Sequence, residues 1–257
     1  MSTRTFAGGS SAGGPVQLAQ LSYNRLLAST SSKERQLLLA HVEEVELASG
    51  TLLVESGDDV VHTYFPVSSA MVALILVMED GSIAEAATVG REGAIGGIIS
   101  AGHKPAFARA VVQIPGKCLK IETARLEEAK ARSPRLHDLF ARYADVLLAQ
   151  VLQSVACNAL HSLDKRCCRW LLMTRDRTGS DSLDITQEYI ANMLGVQRTT
   201  VTRTLGQLAR DGLLHQSRGR ITIRSAAKLE TAACECYRAV RRHTDRVLPE
   251  VQRHHDD

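Results

Sequence analysis

The sequence predicts an α+β protein: an N-terminal β-roll of jelly-roll type, one long helix, and a C-terminal winged helix-turn-helix. Three observations predict it. Short apolar runs alternate with turn signals across residues 45–121. An amphipathic stretch without breakers follows from Pro134 to about Ser162. Two shorter amphipathic stretches then flank Leu194-Gly195-Val196 and lead into a hairpin pattern.

Composition sets the outer limits. A chain of 257 residues with 44% hydrophobic residues has room for a large core, as one large or two medium domains. The net charge of +3 is small, and the basic character is local to the C-terminal third. The six cysteines, at 118, 157, 167, 168, 234 and 236, show no zinc-finger spacing and read as reduced thiols of a cytoplasmic protein. No basic-then-apolar leader pattern opens the chain, and the longest apolar run, Ala70 to Met78, is too short for a bilayer. No membrane partner is expected.

In chain order, residues 1–20 read as a disordered tail, because Met1 to Pro15 is rich in Gly, Ser and Ala. Leu21 to Leu27 and Ser32 to Val42 read as helices. A Ser31 or Ser32 cap, with Glu34 in the first turn, supports the second. Residues 21–132 form the predicted β-roll domain. Its strands are Val45 to Leu47, Thr51 to Val54, Val60 to Phe65, Met71 to Met78, Ile83 to Val89, Ala108 to Ile114 and Cys118 to Ile121. Asp80-Gly81 between two apolar runs is a hairpin signal. A short helix starts at Arg125.

Residues 133–162 form the long helix, opened by Pro134 at a tolerated first-turn position. Phe140, Tyr143, Leu147 and Val151 trace one apolar stripe after Leu136, with Ala144, Leu148 and Val155 beside it. So wide an apolar arc needs two covering surfaces. One is the β-roll. The other is the same helix of a second subunit, and Phe140, Tyr143, Leu147 and Val151 are the expected dimerisation residues.

Residues 163–250 form the predicted winged helix-turn-helix: a helix from Leu163 to Thr174, a polar loop to Leu183, and then the motif itself. Thr186 caps a helix burying Ile190, Ala191 and Leu194, and Gly195 supplies the turn. The next helix, Gln197 to Ala209, has two faces. Val201, Leu205 and Leu208 make an apolar stripe. Arg198, Thr199, Thr202 and Arg203 lie opposite, and these types suit base edges in a major groove. Leu213-Leu214 and Ile221 to Ile223 flank a wing tip at Ser217-Arg218-Gly219. Six arginines and one acid between Arg198 and Arg224 give a local footprint for phosphates. Double-stranded DNA is the expected partner. Arg198, Thr199, Thr202 and Arg203 are expected to meet bases, and Thr186, Gln187, Arg218 and Arg220 to meet phosphates. A terminal amphipathic helix, Ala226 to Leu248, and a frayed charged tail, Arg253 to Asp257, close the chain.

These residues resemble the Crp/Fnr family of bacterial transcription regulators. The resemblance is carried by Ile185-Thr186-Gln187-Glu188, Ile190-Ala191, Leu194-Gly195-Val196, Arg198-Thr199-Thr200-Val201 and Arg203. It continues upstream in Gly50, Gly57, Phe65-Pro66, Gly81 and Thr88-Val89-Gly90-Arg91-Glu92-Gly93. It implies a cyclic-nucleotide-binding-like β-roll, a homodimer joined through the long helix, a function in transcription regulation rather than catalysis, and RNA polymerase as a further candidate partner. Many family members carry Glu at the position of Thr199, so the family's usual half-site does not transfer.

The sensor reading stays open. Gly90, Arg91, Glu92, Gly93, Gly96, Gly97 and Arg109 are the candidate effector-pocket residues, because backbone N–H groups in such a loop can cradle a phosphate. In cAMP-binding relatives a Gly-Glu pair holds the ribose, and an Arg followed by Ser or Thr holds the cyclic phosphate. Here Gly96-Gly97 and Arg109-Ala110 lack the acid and the hydroxyl. The expectation is a regulator that does not respond to cAMP, with an unidentified small effector or none. A constitutive DNA binder with a vestigial sensor and a cyclic-nucleotide-responsive regulator are the alternatives. No cofactor is expected. An iron–sulfur cluster of the kind seen in some relatives needs about four cysteines, mostly near the N-terminus, and none precedes Cys118. His41, His62 and His103 show no ligand pattern, Cys167-Cys168 and Cys234 with Cys236 point apart, and no metal site or catalytic residue is expected.

Overall fold

The computed structural model describes residues 16–97 and 105–248. Two short helices open them, α1 (Leu18–Leu21) and α2 (Arg25–Ala28), followed by α3 (Ser32–Leu39). Asn24 separates the first two. Its side-chain oxygen caps α2 and its amide donates to the carbonyls of Pro66 and Gly93, so the one expected helix is broken by an anchor. The expected tail is also shorter: Leu18–Leu21 is helical and Leu21 is fully buried. Met1 to Pro15 and Arg253 to Asp257 lie outside the described residues. Ser31 and Glu34 form a reciprocal capping box on α3.

Seven strands build the β-roll as two antiparallel sheets. One has the order β1 (Val42–Leu47), β7 (Gly116–Glu122), β3 (His62–Pro66). The other has the order β2 (Leu52–Val54), β6 (Arg109–Ile114), β4 (Met71–Val77), β5 (Ile83–Val89). All seven expected strands are present, with ends shifted by a few residues. Gly81 takes φ 81° at the β4–β5 hairpin, a conformation L side chains adopt rarely. Between the sheets, Val45, Val72, Val89, Val112 and Cys118 make a compact apolar filling.

Helix α4 (Thr123–Arg132) leads into the long α5 (Pro134–Leu160), capped by Ser133. α5 lays Leu136, Phe140 and Tyr143 onto Leu21, Phe65 and Ala94 of its own β-roll. Phe65 and Phe140 meet edge to face with centroids 6.2 Å apart.

The C-terminal module consists of α6 (Leu163–Thr178), β8 (Ser182–Leu183), α7 (Gln187–Leu194), α8 (Arg198–Arg210), β9 (Leu214–Ser217), β10 (Arg220–Ile223), α9 (Ala226–Ala232) and α10 (Cys236–Val247). α6 runs one turn past its expected end and stops where Gly179 turns left-handed, φ 70°. β8 pairs with β10, giving the wing a third strand. The expected terminal helix breaks at residues 233–235. The module does not hang free. Trp170, Leu171, Ile190 and Met193 share one core with Met71, Ala73, Ile75 and Ile114 on the outer face of the β4–β6 sheet.

Candidate nucleic-acid interface

The recognition helix is held from behind. Val201, Thr204, Leu205 and Leu208 are its buried residues, and the Thr204 hydroxyl donates to Asp164 at the start of α6, 2.8 Å away. The turn before it is fixed by Gly195, in the left-handed region at φ 64°, which ends α7 with bonds to the Ala191 and Asn192 carbonyls. The Arg166 guanidinium donates to the last α7 carbonyl, Leu194, at 2.7 Å. Thr186 caps the other end of α7 by accepting from the Tyr189 N–H.

This scaffold leaves Arg198, Thr199, Thr202 and Arg203 exposed on the far side of α8. Arg198 stands 3.8 Å from Glu188, both well exposed, a pair that solvent and salt screen strongly. Arg203 makes no ion pair among the described residues. The Thr202 hydroxyl donates to Gln187 Oε1 at 2.6 Å, and Gln187 Nε2 donates to Gln216 Oε1 at 2.9 Å. That chain of bonds ties α8, α7 and the wing strand β9 together. At the wing tip, Arg218 is exposed beside Gly219, which takes φ 73° in the two-residue turn. Arg220 is bound to Asp184, Nε to Oδ1 2.6 Å, whereas Arg218 makes no ion pair among the described residues. Of the expected base-facing and phosphate-facing side chains, Thr202 and Gln187 are joined directly.

The predicted effector residues do not gather into a cradle. Ideal Cβ atoms on Gly90 and Gly93 fall 2.5 Å from Arg177 Cβ and 1.9 Å from the Tyr143 hydroxyl. Those glycines permit close packing of the loop on α5 and α6. Gly96 and Gly97 abut the His62 carbonyl and Thr123 in the same way. The Glu92 carboxylate accepts from the Gly90 N–H and pairs with Arg177 at 2.9 Å. Arg109 is spent on Glu55, with three nitrogen–oxygen contacts of 2.8–3.0 Å, and its guanidinium holds the Glu55 carboxyl below the usual range. His103 lies outside the described residues.

Two of the predicted effector residues, Arg91 and Glu92, instead line a cleft of about 1070 Å³ where the β-roll, α5, α6 and α10 meet, together with Arg25, Arg175, Arg177 and Arg241. Arg177 is bound to Glu92 and Gln150 there, and Arg175 to Asp181.

The dimerisation residues need correcting. Phe140 and Tyr143 are 0% and 1% exposed, packed into the chain's own core, and Leu147 and Val151 are half-buried. The uncovered stripe of α5 is Leu148, Leu152 and Val155, with Leu160 beyond, at 56%, 60%, 64% and 78% exposure. Sequence periodicity finds both stripes but cannot say which one the β-roll takes. A second correction concerns the cysteines. Cys234 and Cys236 do not diverge into separate surroundings: both are buried and meet Cys157 and His161.

Residues 165–232 match the Crp-like helix-turn-helix domain. No curated protein sequence matches the chain. Among solved structures, FixK2 from Bradyrhizobium japonicum superposes with a TM-score of 0.65 at 17% identity, over 75% of this chain and 98% of that one. The c-di-GMP-responsive global regulator CLP of Xanthomonas campestris gives 0.61 at 18% identity, over 76% and 100%. A CRP-family transcriptional regulator from Thermus thermophilus, TTHB099, gives 0.60 at 19%, over 73% and 95%. No described helix is long and apolar enough to cross a membrane. The chain carries a Crp-like helix-turn-helix domain set in the fold of the Crp/Fnr transcription regulators.

Proposed function

We propose that the protein is a homodimeric, sequence-specific DNA-binding transcription regulator. The observation that carries this reading is the division of α8. Val201, Leu205 and Leu208 are fixed in the module's core, while Arg198, Thr199 and Arg203 stand outward without a strong internal partner. A helix held so can enter a major groove with its side chains free to meet base edges. Arg203 and Arg198 are the guanine-reading side chains, and Thr199 and the Thr202 methyl approach thymine. Thr186, Gln187 and Arg218 set register on phosphates. Arg220 reaches a phosphate only by leaving Asp184. The exposed stripe from Leu148 to Leu160 is the face that pairs two α5 helices about a two-fold axis, which spaces two recognition helices along one side of the duplex.

A second reading concerns control. Arg109 is already bound by Glu55, and the glycine loop is filled by Tyr143 and Arg177. These features favour a β-roll that does not bind cAMP, and a regulator that is constitutive or answers to another signal.

Selection of bound duplexes from random DNA by the purified protein tests both readings. An enriched motif with two-fold symmetry is the expected result, unchanged by added cAMP or cGMP. Uniform, purely salt-dependent binding to all sequences would reject the first reading, and a cyclic-nucleotide requirement would reject the second.

A further inference from the structure

Two pairs of side chains from distant parts of the sequence meet at the junction of α5 and α6. Cys157 is on the last turn of α5, His161 caps that helix, Cys234 lies in the α9–α10 connection and Cys236 opens α10. The Sγ atoms of Cys157 and Cys234 are 3.5 Å apart, and Cys236 Sγ is 3.4 Å from His161 Nδ1. All four atoms lie within 4.8 Å of one another. Sulfur and nitrogen ligands of a tetrahedral zinc ion stand roughly 3.5–3.8 Å apart, given bonds of about 2.3 and 2.0 Å. The cluster is therefore a small contraction away from a complete ligand set.

Core packing accounts for buried cysteines, which behave as small hydrophobes. It does not account for an imidazole nitrogen aimed at the thiols, nor for the groups around them. His161 Nε2 faces a Glu235 carboxylate oxygen at 3.2 Å. A carboxylate there places the proton on Nε2 and leaves Nδ1 as the lone-pair donor, the usual outer support of a metal-bound histidine. Gln153 Nε2 donates to Cys236 Sγ at 3.1 Å, a bond that strengthens when the sulfur is a thiolate. Arg169, 6% exposed and in no ion pair among the described residues, extends its field to Cys157. Three thiolates, one neutral imidazole and a divalent ion sum to one negative charge, which a buried arginine offsets. A disulfide between Cys157 and Cys234 would leave Cys236, His161 and Glu235 without a role.

We propose that Cys157, His161, Cys234 and Cys236 bind one Zn²⁺ ion in a closed structural site that clamps the C-terminal helix to the bend between the long helix and the helix-turn-helix. Cys157, His161 and Cys236 lie outside the matched segment 165–232, and so does Cys234. Two ligands stand at the end of α5, before it bends into α6, and two follow α9. The ion therefore ties the dimer-bearing helix to the far end of the DNA-facing module and fixes the angle between them. Each thiol gives up one proton as the metal binds. The metal site stands whether or not the module reads DNA.

The test uses the full-length reduced protein. Elemental analysis should find one zinc per chain. Replacing it with Co²⁺ should give the visible bands of a tetrahedral site with a thiolate charge-transfer band. Cys236→Ser and His161→Ala should each remove or reshape those bands while circular dichroism keeps the helical signal, and Glu235→Gln should weaken metal binding about tenfold. Hydrogen exchange in residues 236–247 should quicken on chelation. Reduced protein without stoichiometric zinc and without a tetrahedral cobalt spectrum would overturn the proposal. So would a full Cys157–Cys234 disulfide with no metal in protein isolated without reductant. Should Cys236→Ser fail to fold, the wild-type cobalt spectrum still decides.

Discussion

Arg177, near the end of α6, donates from Nε to a Glu92 carboxylate oxygen 2.9 Å away and from Nη2 to Gln150 Oε1 at 2.8 Å. One guanidinium thereby joins the β-roll loop, the long helix and the lead helix of the DNA-facing module. The Arg177 side chain is 8% exposed and Glu92 21%, so the cation in particular has little water to replace its partner. Glu92→Ala should cost about 3 kcal/mol in denaturant unfolding, because a buried cation loses its partner. A loss below half a kilocalorie, in the range of exposed pairs, would show that the link is not structural.

The same loop makes a steric prediction. A Cβ on Gly93 would fall 1.9 Å from the Tyr143 hydroxyl, whose own bond to the Ala94 carbonyl is 3.2 Å. Gly93→Ala should destabilise by about 1–3 kcal/mol or more, since α5 must move to admit the methyl. Unchanged thermal unfolding would mean that the loop stands off α5 in solution.

These two residues show what the sequence could and could not convey. Gly90-Arg91-Glu92-Gly93 is visible as a glycine-rich loop, and such loops suit both anion binding and close packing. Only the arrival of Tyr143 and Arg177, roughly 50 and 90 positions away, decides for packing. The strands, the Gly195 turn and the two faces of α8 were legible because each depends on neighbours a few residues apart. The choice between the Phe140 and Leu152 stripes was not legible, because both satisfy helical periodicity and only the β-roll's position separates them. Cys157 with His161 and Cys234 with Cys236 are each close in sequence, but the pairs stand 77 residues apart, Cys157 to Cys234, so their meeting is a property of the tertiary structure.

Glu85 gives a pH prediction at the contact between β5 and the C-terminal module. Burial pushes its carboxyl up to about 7, against the pull of Arg177, Trp170 and Arg169. In the unfolded chain it titrates near 4.5. The folded state therefore binds the extra proton between these values, and this group's contribution to stability falls as pH rises through that window and levels above about 7. Glu85→Gln removes the titration. Its melting temperature relative to wild type should rise from pH about 5 to about 7 and then stay flat. A constant difference across that range would assign Glu85 an ordinary, solvated carboxyl.

The proposed dimer face, the exposed α5 stripe, separates two outcomes. Leu152→Glu, on the exposed stripe, should yield a folded monomer in sedimentation, since a charge opposite its own symmetry mate must be desolvated to dimerise. Phe140→Ala should instead cost about 3–5 kcal/mol of fold stability, the usual penalty for emptying a core aromatic site, without selectively weakening the dimer. If Phe140→Ala made stable monomers and Leu152→Glu stayed dimeric, the Phe140 stripe would be the interface after all.

The proposed DNA roles of Arg203 and Arg218 differ in kind, and so should their substitutions. Arg203 lies on the outward face of α8, in reach of base edges once the helix enters the groove. Arg203→Ala should cost about 1–3 kcal/mol on the selected site and little on random duplex, so discrimination relaxes at one base pair. Arg218 sits at the wing tip, where a duplex offers its backbone. Arg218→Ala should weaken selected and random sequences alike and lower the salt slope by about one. The loss from Arg203→Ala should persist at raised salt, because a bidentate bond to guanine releases no counterion, whereas the Arg218 effect should shrink there. Fluorescence anisotropy titrations at several salt concentrations separate the two. Equal losses on both kinds of DNA, with equal salt slopes, would mean that α8 lies across the backbone and that its arginines and threonines read no bases.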